Sequence, residues 1–134
     1  MFRIVKAALE SIGEDARASY PEECCGLLLG KDGLVLEAVK VKNINTERAQ
    51  DRYEIDPREF LMVEKEAAKR GLTVLGIYHS HPDHPAEPSE FDRTRAWPEY
   101  FYLIVGVRGG SELTHRCWRL GDDGQFIEEE LAEE

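Results

Sequence analysis

Two histidines and an aspartate in the middle of the chain have the residue types and the spacing of a metal site. His79 and His81 end an apolar run, and residues i and i+2 of a strand point to the same face. Two imidazoles aimed at one point are a natural pair of zinc ligands. Asp92, in the first turn of a predicted helix, can supply a third ligand and leave a fourth position for water, as in catalytic zinc sites.

The same residues also have simpler interpretations. Two histidines at the end of a strand are often ordinary surface residues. The spacing from Ser89 to Asp92 is also typical of a helix cap followed by an acidic residue in the first turn. On these features alone, a metal site and a purely local structural role both stay open.

The elements that must position these residues follow from hydrophobic periodicity and turn signals. Apolar residues at the helical period predict an N-terminal helix over residues 4–19. A second helix is predicted over residues 57–70, with Asp56 as its cap, and a third begins after Ser89. Strands are predicted over residues 25–30, 34–41, 53–55, 72–78, 101–107 and 113–120. This order predicts an α/β fold, a mixed sheet with helices packed on it.

The composition is that of a globular domain of ordinary size. The chain has 134 residues, of which 17 are basic and 27 acidic, and a net charge of −10. We therefore expect a single domain over residues 1–134 and no binding to nucleic acid, which needs a basic face. Half of the net charge comes from five glutamates among the last seven residues. We expect residues 125–134 to form a solvated, frayed acidic tail.

The cysteines and the hydropathy of the sequence indicate the cellular compartment in which the protein is expected. Three cysteines, two of them adjacent, do not form a disulfide framework. No apolar stretch approaches the roughly 20 residues needed to span a bilayer, and the first residues lack the pattern of a signal peptide. We expect a cytoplasmic protein without a membrane partner. The sequence does not indicate its oligomeric state.

Two other groups of residues could carry chemistry. Cys24 and Cys25, together with a histidine, could form a cysteine nucleophile, but Cys25 begins an apolar strand and buried cysteine is usually inert. His115 and Cys117 share one face of a predicted strand, but no third and fourth metal ligand is evident. We therefore expect neither a cysteine protease nor a second zinc site.

The complete motif resembles that of the JAMM (MPN+) zinc metalloprotease family, in its compact bacterial form. The family signature is an upstream Glu followed by His-x-His-x(10)-Asp, with a Ser three residues before the Asp. The chain has a Glu in the segment 21–28 and then His79, His81, Ser89 and Asp92 in that register. The resemblance covers nearly the whole chain and implies the JAMM/MPN, cytidine-deaminase-like architecture. It makes His79, His81 and Asp92 the ligands of one zinc ion.

The resemblance also assigns the remaining site residues. The catalytic Glu of the family stands three residues before the Gly of a Glu-x-x-Gly-Leu stretch, which here is Glu23, with Glu22 as the alternative. Ser89 matches the serine that helps to stabilise the oxyanion. General chemistry agrees with these roles, because a carboxylate can take a proton from an attacking water and a hydroxyl can meet the charge on a tetrahedral intermediate.

The resemblance finally implies a class of substrate. In related families the substrates are ubiquitin-fold proteins that end in Gly-Gly, and the compact bacterial members are associated with small sulfur carriers of that fold. We therefore expect a zinc-dependent peptidase or isopeptidase that cuts after the Gly-Gly of such a carrier. Two alternatives are a metal-binding but non-catalytic interaction module and a deubiquitinase-like enzyme that acts on protein conjugates.

Overall fold

Eleven helices and strands follow one another in the computed structural model, which describes residues 1–134. They are β1 (Phe2–Ile4), α1 (Lys6–Ser19), β2 (Cys25–Lys31), β3 (Leu34–Val41), α2 (Pro57–Lys69), β4 (Thr73–Pro82), α3 (Glu90–Arg95), β5 (Phe101–Arg108), β6 (Glu112–Leu120), β7 (Phe126–Glu129) and β8 (Leu131–Glu133). None of the three helices is long and apolar enough to span a lipid bilayer.

One mixed sheet of eight strands carries the fold. Its strand order is β7-β6-β5-β4-β2-β3-β1-β8. β4 and β5 run parallel, as β1 does with β3 and with β8, and the other neighbours are antiparallel. β7 and β8 lie at the two ends of this order, yet only Glu130 separates them in the chain. The sheet therefore curls until its two edges nearly meet, and the α/β prediction with a mixed sheet is confirmed.

Helices pack on both faces of the sheet. α1 contributes Ala8, Ile12 and Ala16 to one apolar cluster, which contains Leu28 of β2. The neighbouring strand residues Leu27 and Leu29 point to the other face and belong to a second cluster, as the alternation of side chains along a strand requires. α2 packs on that second face through Ala67, Phe60 and Val63. The central strands are therefore buried on both faces and underlie the site.

Local turn and cap signals are confirmed. The Asp56 carboxylate accepts a hydrogen bond from the amide of Arg58 at 2.9 Å, and Pro57 is the first residue of α2. Asp32 and Gly33 both have positive φ angles, of 53° and 75°, which is the conformation of the tight turns that join β-hairpins. These elements depend on residues close together in sequence, so the pattern alone predicts them.

The N-terminal and central strands differ from the sequence predictions. The helix predicted over residues 4–19 begins only at Lys6, because Phe2 and Ile4 alternate toward the core and form β1, in which they are 2% and 0% exposed. The strand predicted over residues 53–55 is reduced to a single bridge between Asn43 and Ile55. The strand predicted over 72–78 continues to Pro82, so both histidines of the motif lie within it.

The prediction of a frayed acidic tail over residues 125–134 is wrong. β7 pairs with β6, and β8 pairs with β1. The amide of Phe2 donates to the carbonyl of Glu130 at 2.7 Å. One of the acidic side chains is paired, because Nε and Nη2 of Arg116 each donate to the Glu128 carboxylate at 2.8 Å. Charge alone suggested a solvated end, whereas strand pairing with both sheet edges makes this segment the closing strand of the fold.

Candidate metal centre and active site

The three residues of the motif converge on one point. His79 and His81 lie in β4 and are 0% and 6% exposed, and Asp92 in α3 is 6% exposed. The Nε2 atoms of the two histidines are 3.2 Å apart, and Asp92 Oδ2 lies 3.2 Å from His79 Nε2 and 3.0 Å from His81 Nε2. Ligands at about 2.0–2.1 Å from a tetrahedral zinc ion are about 3.3 Å from one another. The spacing of these donor atoms therefore fits such an ion.

Asp92 is positioned by the first turn of α3. Ser89 caps this helix: its Oγ accepts from the Asp92 amide at 3.1 Å, and its own amide donates to Asp92 Oδ2 at 2.9 Å. The two interpretations left open by the sequence, a helix cap and a metal ligand, are therefore compatible, because the cap formed by Ser89 also holds Asp92 in place. Burial by itself would raise the pKa of Asp92, but the histidines and the Ser89 amide hold this pKa well below its usual range. The carboxylate is therefore ionised, as a zinc ligand must be.

Two further contacts orient the imidazoles. His81 Nδ1 lies 2.9 Å from the carbonyl oxygen of Pro85, so Nδ1–H donates to the carbonyl and Nε2 is left to bind a metal. The ring of Tyr53 stacks on that of His79 at 4.3 Å between centroids, with 20° between the planes. Burial lowers the pKa of His79, which keeps its imidazole neutral near pH 7. Sequence reasoning missed Tyr53 and Pro85, because no local pattern brings them to the histidines.

Glu23 lies opposite His81 at the edge of the site. In the pairing of β2 with β4, Cys25 faces His79, and the Ser80 amide donates to the Cys24 carbonyl at 3.1 Å. Continuing this antiparallel register places Glu23 beside His81. Glu23 is 4% exposed and its Oε1 is buried without a hydrogen-bond partner.

The surroundings of Glu23 suppress its ionisation. Burial raises the pKa of Glu23 to about 9, with further contributions from the charges of Asp92 and Asp51. A divalent cation close by would act in the opposite direction and favour the carboxylate. Glu22, the alternative considered from the sequence, is exposed. Of the two adjacent carboxyls, Glu23 is therefore the one buried at the site.

The alternative chemistries are not supported by the structure. All three cysteines are buried and free, and burial raises the pKa of Cys24 to about 12, which disfavours a nucleophilic thiolate. His79, His81 and Asp92 form a group of three potential metal-binding side chains, and neither His115 nor Cys117 is part of it. His84, in the loop after β4, is exposed.

Two cavities flank the site. The larger is an open groove of about 810 Å³, and it is lined mainly by apolar and aromatic side chains, among them Tyr53, Phe60, Trp97, Tyr100 and Tyr102. Tyr53 joins this groove to the metal centre, since the same ring stacks on His79. The smaller cavity, of about 480 Å³, is polar and lies between residues 47–51 and 82–84. An extended substrate could therefore cross the site from an apolar to a polar side.

Comparison with known proteins gives consistent matches. A family model described as prokaryotic homologs of the JAB domain matches residues 5–121. The chain is 38% identical over 113 residues to a desampylase of Haloferax volcanii, with 82% of this chain and 78% of that protein covered. It is 31% identical over 115 residues to the CysO-cysteine peptidase of Mycobacterium tuberculosis, with 85% and 78% covered.

Solved structures agree with the sequence matches. The solution structure of a protein from Desulfitobacterium hafniense superposes on this chain with a TM-score of 0.88 at 32% identity. The superposition covers 100% of this chain and 93% of that protein. A JAB1/MPN domain protein from Archaeoglobus fulgidus has the same fold, with a TM-score of 0.65 at 22% identity over 100% and 97% of the two chains. The family and fold expected from the sequence are therefore confirmed: the chain belongs to the prokaryotic JAB (JAMM/MPN) domain family.

Proposed function

We propose that this protein is a zinc-dependent peptidase or isopeptidase that hydrolyses the bond after the C-terminal Gly-Gly of a small ubiquitin-fold carrier protein. The observation that carries the proposal is the convergence of His79, His81 and Asp92 at 3.0–3.2 Å, with the buried Glu23 carboxyl beside them. The comparisons confirm the enzyme class, since relatives that match most of the chain are named desampylase and CysO-cysteine peptidase.

Zinc is the ion proposed for the site. His79 and His81 would bind it through Nε2 and Asp92 through Oδ2, and one ion per chain satisfies this donor set. Neutral imidazoles and a carboxylate suit zinc, and three protein ligands leave one position open. A zinc ion held there would lower the pKa of a water molecule and polarise the scissile carbonyl.

Glu23 is proposed to move the proton. Its Oε1 has no hydrogen-bond partner in the protein, so this atom can accept a proton from an attacking water. The same carboxyl can then deliver the proton to the leaving nitrogen, which must otherwise depart as an unstable amide anion. An amide at this position keeps the shape but cannot accept the proton, so Glu23→Gln separates catalysis from metal binding.

Ser89 is proposed to stabilise the oxyanion. Its oxygen already accepts a hydrogen bond from the Asp92 amide at 3.1 Å, and its hydroxyl hydrogen is therefore free to donate. The side chain is exposed at the mouth of the site, where a substrate carbonyl can approach. A donor that meets the developing charge contributes roughly 100- to 1,000-fold to such reactions.

The substrate is inferred from the relatives and from the shape of the site. The desampylase and the CysO-cysteine peptidase are named for what they act on, and we infer a small ubiquitin-fold carrier for this chain. A Gly-Gly terminus has no side chains and lets an extended backbone approach closely at the end of β4. The apolar groove beside Tyr53 offers a path for the residues that precede the glycines.

We also infer a reducing, cytoplasmic compartment and no nucleic-acid or membrane partner. Cys24, Cys25 and Cys117 are free in the folded protein, and the net charge of −10 opposes binding to phosphate backbones. The partner inferred for the site is therefore a carrier protein alone.

The test uses a small ubiquitin-fold carrier with a short C-terminal extension after its Gly-Gly. Zinc-loaded protein should release the extension, as followed by mass, and Glu23→Gln should bind zinc normally and release none. The matched variant Glu22→Gln, one residue away and exposed, should stay active. An intact carrier together with ready cleavage of unrelated unfolded peptides would identify a general peptidase and contradict the proposal.

A further inference from the structure

Two arginines beside the candidate metal centre share one aromatic ring. The guanidinium carbon of Arg52 lies 4.5 Å from the centre of the Phe91 ring, and that of Arg95 lies 4.9 Å from it. Neither guanidinium forms an ion pair. Of the other nine arginines, five are each paired with a carboxylate and four are not; the paired ones are Arg48, Arg70, Arg93, Arg116 and Arg119.

The position of this pair ties it to the reaction site. Phe91 precedes the metal-binding residue Asp92, and Arg52 precedes Tyr53, whose ring stacks on His79. Arg52 is half-buried and Arg95 exposed. Stacking on a common ring holds both cations at the surface, although like charges in one place repel each other. In a protein with a net charge of −10, this local concentration of positive charge can be neutralised by a carboxylate from another molecule.

Arg95 lines the apolar groove beside the metal centre, and Arg52 stacks on the same Phe91 ring as Arg95. Arg95 lines the groove next to Thr94 and Ala96, and the acidic residues that also line it are Glu54 and Glu99. Glu54 is already engaged, because its Oε1 accepts from the side-chain amide of Asn45 at 3.3 Å. Arg95 belongs to α3, the same helix that presents Asp92, whereas Glu54 and Glu99 lie outside that helix. A substrate that lies in this groove would therefore pass the guanidinium of Arg95.

We propose that Arg52 and Arg95 select carriers that have acidic side chains immediately before the Gly-Gly. Arg95 lies three residues beyond Asp92, about 4.5 Å along the helix axis, and its long side chain extends this reach. An extended substrate advances about 3.3 Å per residue, so the third and fourth residues from the carrier end come opposite the two guanidiniums. A carboxylate there forms a charge-assisted pair, whereas a basic side chain is repelled. This selectivity rests on the proposed function, which supplies the carrier and its direction in the groove.

The experiment compares three carriers that differ only at the third and fourth residues from their end. Both positions are Glu, Gln or Lys, and each carrier has the same C-terminal extension. We expect zinc-loaded wild type to cleave the Glu carrier with a kcat/KM about tenfold above that of the Lys carrier, with Gln between them and most of the difference in KM. In 1 M salt, where the screening length is about 3 Å, the ratio should fall below about twofold.

Enzyme variants assign the effect to the two arginines. In the double variant Arg52→Gln, Arg95→Gln, the preference for the Glu carrier should disappear while zinc content and cleavage of the Gln carrier persist. Arg3→Gln, which removes an arginine of β1 whose side chain donates to the carbonyl of Asp32, should keep the full preference. Equal cleavage of all three carriers by wild type, or a preference for Lys, would overturn the selectivity alone. No cleavage of any carrier would instead contradict the proposed function.

Discussion

Replacing Glu23 by Gln should stabilise the protein in the absence of metal, and increasingly so as the pH rises. Burial raises the pKa of Glu23 from 4.5 to about 9. In the unfolded chain this carboxyl ionises above its ordinary pKa, whereas in the metal-free fold it keeps its proton until about pH 9. Unfolding therefore releases a proton between these two values, and the stability of the wild type falls with rising pH in that window. Gln carries no such proton.

The size of the effect follows from the width of the window. Within it, one proton released on unfolding costs about 1.4 kcal/mol of stability per pH unit. Between pH 5.5 and pH 7.5, wild type should therefore lose close to 3 kcal/mol relative to Glu23→Gln. His79 and Asp92 also titrate differently in the folded and unfolded states. They are present in both proteins and cancel in the difference.

The assay is urea unfolding of both proteins with a chelator present, at pH 5.5, 6.5 and 7.5. Glu22→Gln is the matched control, because its exposed side chain is hydrated in either state, and it should follow wild type. Adding zinc should reduce the difference between wild type and Glu23→Gln, since a nearby dication favours the carboxylate. Parallel stability curves for wild type and Glu23→Gln without metal would refute the assignment of Glu23 as a proton-holding group.

Three further predictions test the metal centre, the core and the closing strand. His81→Ala should lower zinc affinity more than about 100-fold in a chelator competition, whereas exposed His84→Ala should not; equal losses would exclude His81 as a ligand. Gly26→Ala places a methyl group against the ring of Tyr78 and the carbonyl of Val39, and should cost about 1–3 kcal/mol in urea unfolding. A stability unchanged from wild type would contradict this packing. Deleting residues 125–134 removes at least three backbone hydrogen bonds to residues 2–6, so it should cost at least about 3 kcal/mol; an unchanged stability would instead support a frayed tail.

The chemistry of the site could be predicted from the sequence to a large extent. The alternation of a strand aligns His79 with His81, and a helix cap at Ser89 presents Asp92, so short-range geometry prescribes most of the ligand set. The resemblance to the family added Glu23, which no local rule connects to the histidines 56 residues away from it in the chain. The structure supplies the connection through the register of β2 against β4.

The ends of the chain were the least predictable part. Apolar residues 4 and 5 fit a helical period, but Phe2 and Ile4 satisfy a strand equally well, and pairing with β3 and β8 decides the matter. The glutamates of residues 125–134 are typical of a solvated tail by composition. They become strand residues because β6 and β1 have free edges on which this segment can complete its backbone hydrogen bonds.

The sequence by itself therefore determined the ligand types, their spacing and the helix cap that presents one of them, since each depends on residues within a few positions of one another. The tertiary structure alone decided which carboxyl lies beside His81, which ring stacks on His79 and which arginines share Phe91. Those contacts join segments that are far apart in the chain. They depend on strand register and on the contact of Arg52 with Phe91 of α3, which no local pattern of residues encodes.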